Sequence, residues 1–350
     1  MIKRLIIPLV VILLVTNMNS TSINAQENAN CKCYQHKRCH VYTDHHMHMM
    51  SQEFSEVFKT LLGTDTYIDM PIEEVSGEKI VSLLDEANID KAFVLSDSYI
   101  LGMDELQSPT EYEDVKKEND YVANEVSKYP DRLIGLFSVN PLRDYAIQEV
   151  DRCYHMEGLS GLKLHFTNSR VDLTIPEHLE KIKALFLHVS EKNIPILMHF
   201  RSRSPEFGKK DAEILIDEVI SEIPNLKLQI AHLGGWGGFD QSTKEVFSTF
   251  IEKYNANPDL KKENVYFDFS GIIVTDRESV LGLEKTTEED HKEMAHMMRQ
   301  WGLDYIVFGS DYQYHSPQGY VNYIKKYLPL TRREISNFLN NDLSTIFYNE

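Results

Sequence analysis

Apolar residues gather in eight short runs along the chain, at 41–48, 91–96, 133–139, 161–166, 194–200, 227–232, 265–270 and 305–311. The runs are bounded by Gly, Pro or polar residues and are rich in β-branched or aromatic side chains, as strands are. Between them lie GEKIVSLLDEANI (77–89), DAEILIDEVISEI (211–223) and HKEMAHMMRQWG (291–302), whose apolar residues recur every three or four positions, as on one face of a helix. Strand and helix alternate without a linker or a composition break, which predicts an α/β protein with a (β/α)8 TIM barrel over 41–350. The connections 49–71 and 271–289 are long, the length of a lid, a substrate wall or a plain insertion. The segments after Tyr320 read as terminal helices packed on the barrel.

A barrel of this kind carries its active site at the carboxyl ends of the strands. Residues able to bind a metal stand at those ends. VYTDHHMHM opens the first strand, and strict alternation puts His46 and His48 on one face with Asp44 and turns His45 and Met47 the other way. PILMHF ends at His199, LQIAHLGG contains His232 and YIVFGSDY reaches Asp311. A lone strand-end His is most often a hydrogen-bonding residue, but four imidazoles and a carboxylate spaced this way suit one divalent transition metal, with Zn2+ the best match to the donors. His46 and His48 form the pair from one strand, His199 comes from across the ring, and Asp311 completes the set. A divalent ion lowers the pKa of a bound water to roughly 7, which makes hydroxide available at neutral pH, and Asp311 can take the proton.

Together D-x-H-x-H at 44–48, His199, AHLGG at 231–235 and FGSDY at 308–312 resemble the amidohydrolase superfamily. Within it they are similar to the amidohydrolase-related (amidohydrolase 2) branch that includes the aminocarboxymuconate-semialdehyde decarboxylase type. The resemblance covers nearly all of the chain after Thr43. It implies that His46, His48, His199 and Asp311 hold one metal and that His232 sits beside it as a catalytic or polarising group. GLKLHF puts Lys163 and His165 on one face of the fourth strand. In binuclear relatives a carboxylated lysine from that strand bridges two metals, whereas a single metal is the commoner arrangement in this branch. Lys163 is accordingly read as an electrostatic or substrate-contacting residue, and His165 as a substrate contact or a hydrogen-bonding residue of the barrel mouth. Arg201 and Arg203, on the loop after His199, suit a substrate carboxylate or phosphate, or else an ordinary loop ion pair. Trp236 in LGGWGGFD offers an aromatic wall.

The formal net charge of −18 disfavours nucleic acid, and no basic patch overrides it. The partner expected is a small molecule, carboxylate-bearing if the arginines bind it; a homo-oligomer is compatible with the composition. Residues 1–25 have a basic start, an apolar stretch and a polar exit, the layout of a cleavable signal peptide, so export to the periplasm or the medium is expected. The tail 26–40 carries Cys31, Cys33 and Cys39, open to a small disulfide loop or, less in keeping with the C-x-C spacing, a zinc knuckle. These features point to an exported metal-dependent hydrolase that cleaves a small amide, lactone or ester with metal-activated hydroxide. Non-oxidative decarboxylation of an unsaturated or aromatic acid is the enzymatic alternative, and a binding protein on the same barrel is the non-enzymatic one.

Overall fold

The computed structural model describes residues 41–347. The expected signal peptide, residues 1–25, and the cysteine-bearing tail, residues 26–40, lie outside them. Eight strands, β1 (Val41–Met49), β2 (Ile89–Ser96), β3 (Leu133–Ser138), β4 (Leu159–His165), β5 (Ile196–His199), β6 (Leu228–Ile230), β7 (Val265–Phe269) and β8 (Ile306–Phe308), form one sheet in chain order. Each ladder is parallel. The ring closes where the backbone N–H of Asp311 donates to the His46 carbonyl at 2.8 Å and that of His48 donates to Tyr312 at 2.7 Å. The seam between β1 and β8 is therefore built from the same residues whose side chains the sequence marks as metal ligands.

Two sequence features make that seam fit. A Cβ on Gly309 would stand 2.7 Å from the His46 Cβ, so only glycine lets β8 approach β1 this closely. Asp311 adopts φ 57, a left-handed conformation that Asp tolerates better than most residues. Asp44 also serves the seam, through Oδ1, which accepts from the His46 N–H at 3.1 Å and the Ser310 N–H at 2.9 Å. This corrects the strict alternation expected of β1. The register against β2 slips between Asp44 and Met47, so Asp44 leaves the face of His46 and His48 and braces backbone instead.

The space inside the barrel is filled by Phe93, Leu95, Ile134, Leu136, Leu197 and Val307, and Leu343 and Phe347 of the last helix (Leu343–Phe347) join the same cluster. His45 lies in this lower layer, stacked on Phe93 at 5.0 Å, with Nδ1 donating to the Phe308 carbonyl and Nε2 accepting from the Leu343 N–H. A closed apolar floor thus separates the catalytic end from the bottom of the barrel, as expected for a packed core rather than a pore.

Both long connections are ordered over the catalytic end. The first holds a helix (Gln52–Leu62), capped by the Ser51 hydroxyl and ended by Gly63 at φ 68, and then a short hairpin pairing Thr66–Tyr67 with Met70–Pro71. The second holds a single helical turn (Glu278–Leu281). Arg277 ties them together, because its guanidinium pairs with Asp69 of the hairpin, with Glu278, and with the Tyr314 carbonyl at 2.8 Å.

Candidate metal centre

At the carboxyl end of the strands lies a cavity of about 320 Å³. Its floor holds His46, His48, Lys163, His199, His232 and Asp311. The orientation of three imidazoles is fixed from behind. His46 Nδ1 faces Asp268 Oδ2 at 3.0 Å, His48 Nδ1 faces Asp97 Oδ1 at 2.8 Å, and His232 Nδ1 faces the Ser270 carbonyl at 2.8 Å. All three acceptors require Nδ1–H, so in the neutral ring, the form that binds a metal, Nε2 carries the lone pair. The Nε2 atoms of His46 and His48 lie 3.5 and 3.2 Å from Asp311 Oδ1.

The donor atoms of His46, His232 and Asp311 all lie within 4.8 Å of one another. His48 joins through its contact with Asp311. His199 stands further round the ring, with its imidazole 5.2 Å from that of His232 and stacked on His165 at 3.9 Å. Its Nδ1 is buried without a hydrogen-bond partner, an expensive state that a ligand to that nitrogen would relieve. Convergent imidazole nitrogens, one carboxylate and an orphaned imidazole nitrogen fit a divalent ion of the kind that takes nitrogen and oxygen donors.

The electrostatics of the pocket keep its parts in different charge states. Burial lowers His46 to about 4, with Lys163 adding to the effect, and holds His199 and His165 well below the ordinary imidazole value. Burial also disfavours charge on His48, but Asp97 and Asp311 outweigh it and raise the group to about 9. Burial opposes ionisation of Asp311 too, yet His46, His48 and His232 together hold it well below the usual carboxylate range. Lys163 is 1% exposed, its Nζ lies 3.3 Å from His46 Nε2, and burial lowers it to about 8 against the pull of Asp268, Asp311 and Asp97.

Asp97 and Asp268 did not emerge from the sequence. Asp268 is a hub: besides His46 it accepts from Gln229 Nε2 at 2.9 Å, the His232 N–H at 3.0 Å and the Ser270 hydroxyl. A carboxylate in the middle of VYFDF, an otherwise apolar strand, was the available signal, since a charge there requires dedicated partners. Asp97 follows β2 directly, the same strand-end position that singled out His199 and Asp311.

His165 and Trp236 both line the cavity. Arg201 and Arg203 do not. Arg201 pairs with Asp240 at 2.9 Å and with the Ser242 hydroxyl, and Arg203 pairs with Glu105 at 2.8 Å while donating to the Thr167 carbonyl. Position in the chain beside His199 placed them near the metal, but the loop turns both outwards. Arg201 instead braces the start of the helix (Gln241–Ala256) that follows the Trp236 loop.

A closed eight-stranded ring with histidines and an aspartate gathered at strand ends defines a metal-dependent barrel enzyme. The chain belongs to the amidohydrolase family, whose family model (amidohydrolase 2) matches residues 43–333. Among solved structures it is similar to 5-carboxyvanillate decarboxylase from Sphingomonas paucimobilis, with 14% identity, a TM-score of 0.61, and 89% of this chain and 99% of that one covered. The same enzyme from Novosphingobium aromaticivorans, complexed with manganese and 4-hydroxy-3-methoxy-5-nitrobenzoic acid, gives 15% identity and a TM-score of 0.59 over 88% and 96% of the two chains. A probable 2-pyrone-4,6-dicarboxylic acid hydrolase from Acinetobacter baumannii with citric acid bound gives 17% identity and 0.55 over 88% and 99%. At these identities the likeness is one of fold. A search of curated proteins finds no match.

Proposed function

We propose that this chain is a metal-dependent hydrolase of a small-molecule ester, lactone or amide, with His46, His48, His199 and Asp311 holding one divalent ion and His232 beside them. The observation that carries the reading is the convergence of the Nε2 atoms of His46 and His48 on the Asp311 carboxylate. When bound, the ion supplies Lewis acidity and makes water acidic enough to be deprotonated at neutral pH. Zn2+ suits the donors, and the manganese bound by a structural relative makes Mn2+ the first alternative to test. Asp311, ionised at neutral pH, accepts the proton of the attacking water. His232 presents an Nε2 lone pair, so it too is an acceptor until protonated, after which it can hand the proton to the leaving group. Lys163 places positive charge beside the reacting carbonyl.

Decarboxylation of an aromatic acid is the second reading, favoured by the aromatic wall of Phe58, Tyr67, Tyr99 and Tyr314 around the same floor. Metal-loaded protein incubated with a panel of esters, lactones, amides and hydroxylated aromatic acids separates the two by product mass. Gain of water, with label incorporated from 18O-water, supports hydrolysis; loss of carbon dioxide without incorporation supports decarboxylation. Export of the mature chain, cleaved after Ala25, rests on the layout of residues 1–25 and is tested by the N-terminal sequence of the protein recovered from its native host.

A further inference from the structure

The two long connections turn apolar side chains towards the mouth of the cavity. Phe58 and Leu62 come from the capped helix, Tyr67 from the hairpin and Leu281 from the second loop, and Ile100 and Trp236 complete the wall. Leu62 and Trp236 are large apolar residues left 40% and 50% exposed at the mouth, and Val280 beside Leu281 is 70% exposed. Trp236 rides a turn in which Gly237 and Gly238 take φ 103 and 84 and the Gly238 N–H donates to the Gly271 carbonyl at 2.8 Å, so the turn is anchored. Exposed apolar groups bordering a concave site mark surface that a ligand covers.

Charge narrows the ligand further. Among the described residues lining the cavity, Lys163 is the one lysine or arginine, and it lies on the floor. Arg143, Arg170, Arg201, Arg203 and Arg277, arginines of the surrounding loops, are each paired with a carboxylate. With Asp97 and Asp311 also in the lining and a net charge of −18, a second anionic group on the ligand would meet no second lysine or arginine among the described lining residues, only neutral donors such as Asn168 and Gln313.

We propose that the cavity takes an amphipathic molecule with at most one negative charge: one compact carboxylate or carbonyl head on the histidine floor and an apolar body that runs outwards along the wall to lie under Trp236. The inference rests on the proposed metal-dependent reaction for which end is reactive. The chain has two tryptophans, and Trp301 is 1% exposed, so the solvent-sensitive emission belongs to Trp236. The test titrates the metal-loaded full-length protein with 4-n-alkylbenzoates from methyl to hexyl and reads both emission shift and acrylamide quenching. Each added methylene should tighten binding by about 3- to 4-fold until the tail passes the rim. The longer members should shield Trp236 from acrylamide, and isophthalate should bind much more weakly than benzoate. In Trp236→Ala, read by calorimetry, the dependence on tail length should flatten; Leu281→Ser should flatten it partly. A flat series in the parent, unaltered quenching, isophthalate binding as tightly as benzoate, or no binding by any member would each overturn the proposal. If the series binds as expected but neither water nor carbon dioxide is ever gained or lost, the proposed reaction fails and the ligand class stands. Turnover of polar polyanions without any effect of tail length would overturn the ligand class and leave the reaction standing.

Discussion

Asp268 Oδ2 and His46 Nδ1 meet at 3.0 Å with both side chains fully buried, one reaching from β7 and the other from β1. The contact fixes the tautomer of His46 and raises the basicity of its inward nitrogen. Replacing Asp268 with Asn keeps the shape but removes the charge. The expected outcome is a metal affinity about 10- to 100-fold weaker in a folded protein, measured by competition against a chromophoric chelator. Unchanged affinity would mean that His46 does not bind the ion.

Asp311 separates holding a metal from moving a proton. Asp311→Asn should fold, because the backbone bonds that close the seam do not involve the carboxylate. With saturating metal its kcat should fall by about 10²- to 10⁴-fold, the usual loss when a positioned proton acceptor is removed. Near-parental kcat under those conditions would transfer the role to His232.

The Arg277–Asp69 pair clips the hairpin to the second loop, but Asp69 is 60% exposed. Such a pair contributes little to global stability, on the order of 0.2 to 1 kcal/mol. Arg277→Ala should leave the melting temperature nearly unchanged while amide exchange accelerates across 64–72 and 271–282. Exchange unaltered in both segments would show that the loops are held by their apolar contacts instead.

Glu118 is 3% exposed, and burial raises its carboxyl to about 7 even though Ser51 donates to it from both N–H and hydroxyl. A carboxyl raised on folding gives stability that is complete below its unfolded value near 4.5 and is lost as pH rises towards 7. The parent should therefore lose up to about 3 kcal/mol from this group between those limits. Glu118→Gln should lose less over the same window, as read from urea unfolding at pH 5 and pH 8. Parallel pH profiles would contradict the assignment.

The barrel was legible because its strands are short apolar runs with polar punctuation, a pattern that survives without knowledge of any contact. The floor of the site was legible for the same reason, since His46, His48, His199, His232 and Asp311 all stand where such runs end. The slip in β1 was not, because alternation cannot reveal a bulge; only the bond from the Ser310 N–H to Asp44 across the seam explains why Asp44 turns away. For Arg201 and Arg203 the sequence left a substrate contact and a loop ion pair both open, because a loop's direction depends on partners such as Asp240 and Glu105, distant in sequence; the structure shows the ion pairs. Asp97 and Asp268 escaped because their value lies in what they hold, not in a motif.

A metal-dependent reaction at this floor stands or falls on the metal content of the purified protein, measured against its turnover of the substrate found in the panel screen. The parent should carry about one equivalent of a divalent transition metal, the occupancy expected of one set of four protein ligands that leaves the ion a position for water. Chelation should abolish turnover, adding back one equivalent should restore it, and His199→Ala should show much lower occupancy. Two equivalents would bring Lys163 into the centre as a bridging group, and full turnover after exhaustive chelation would contradict metal dependence outright.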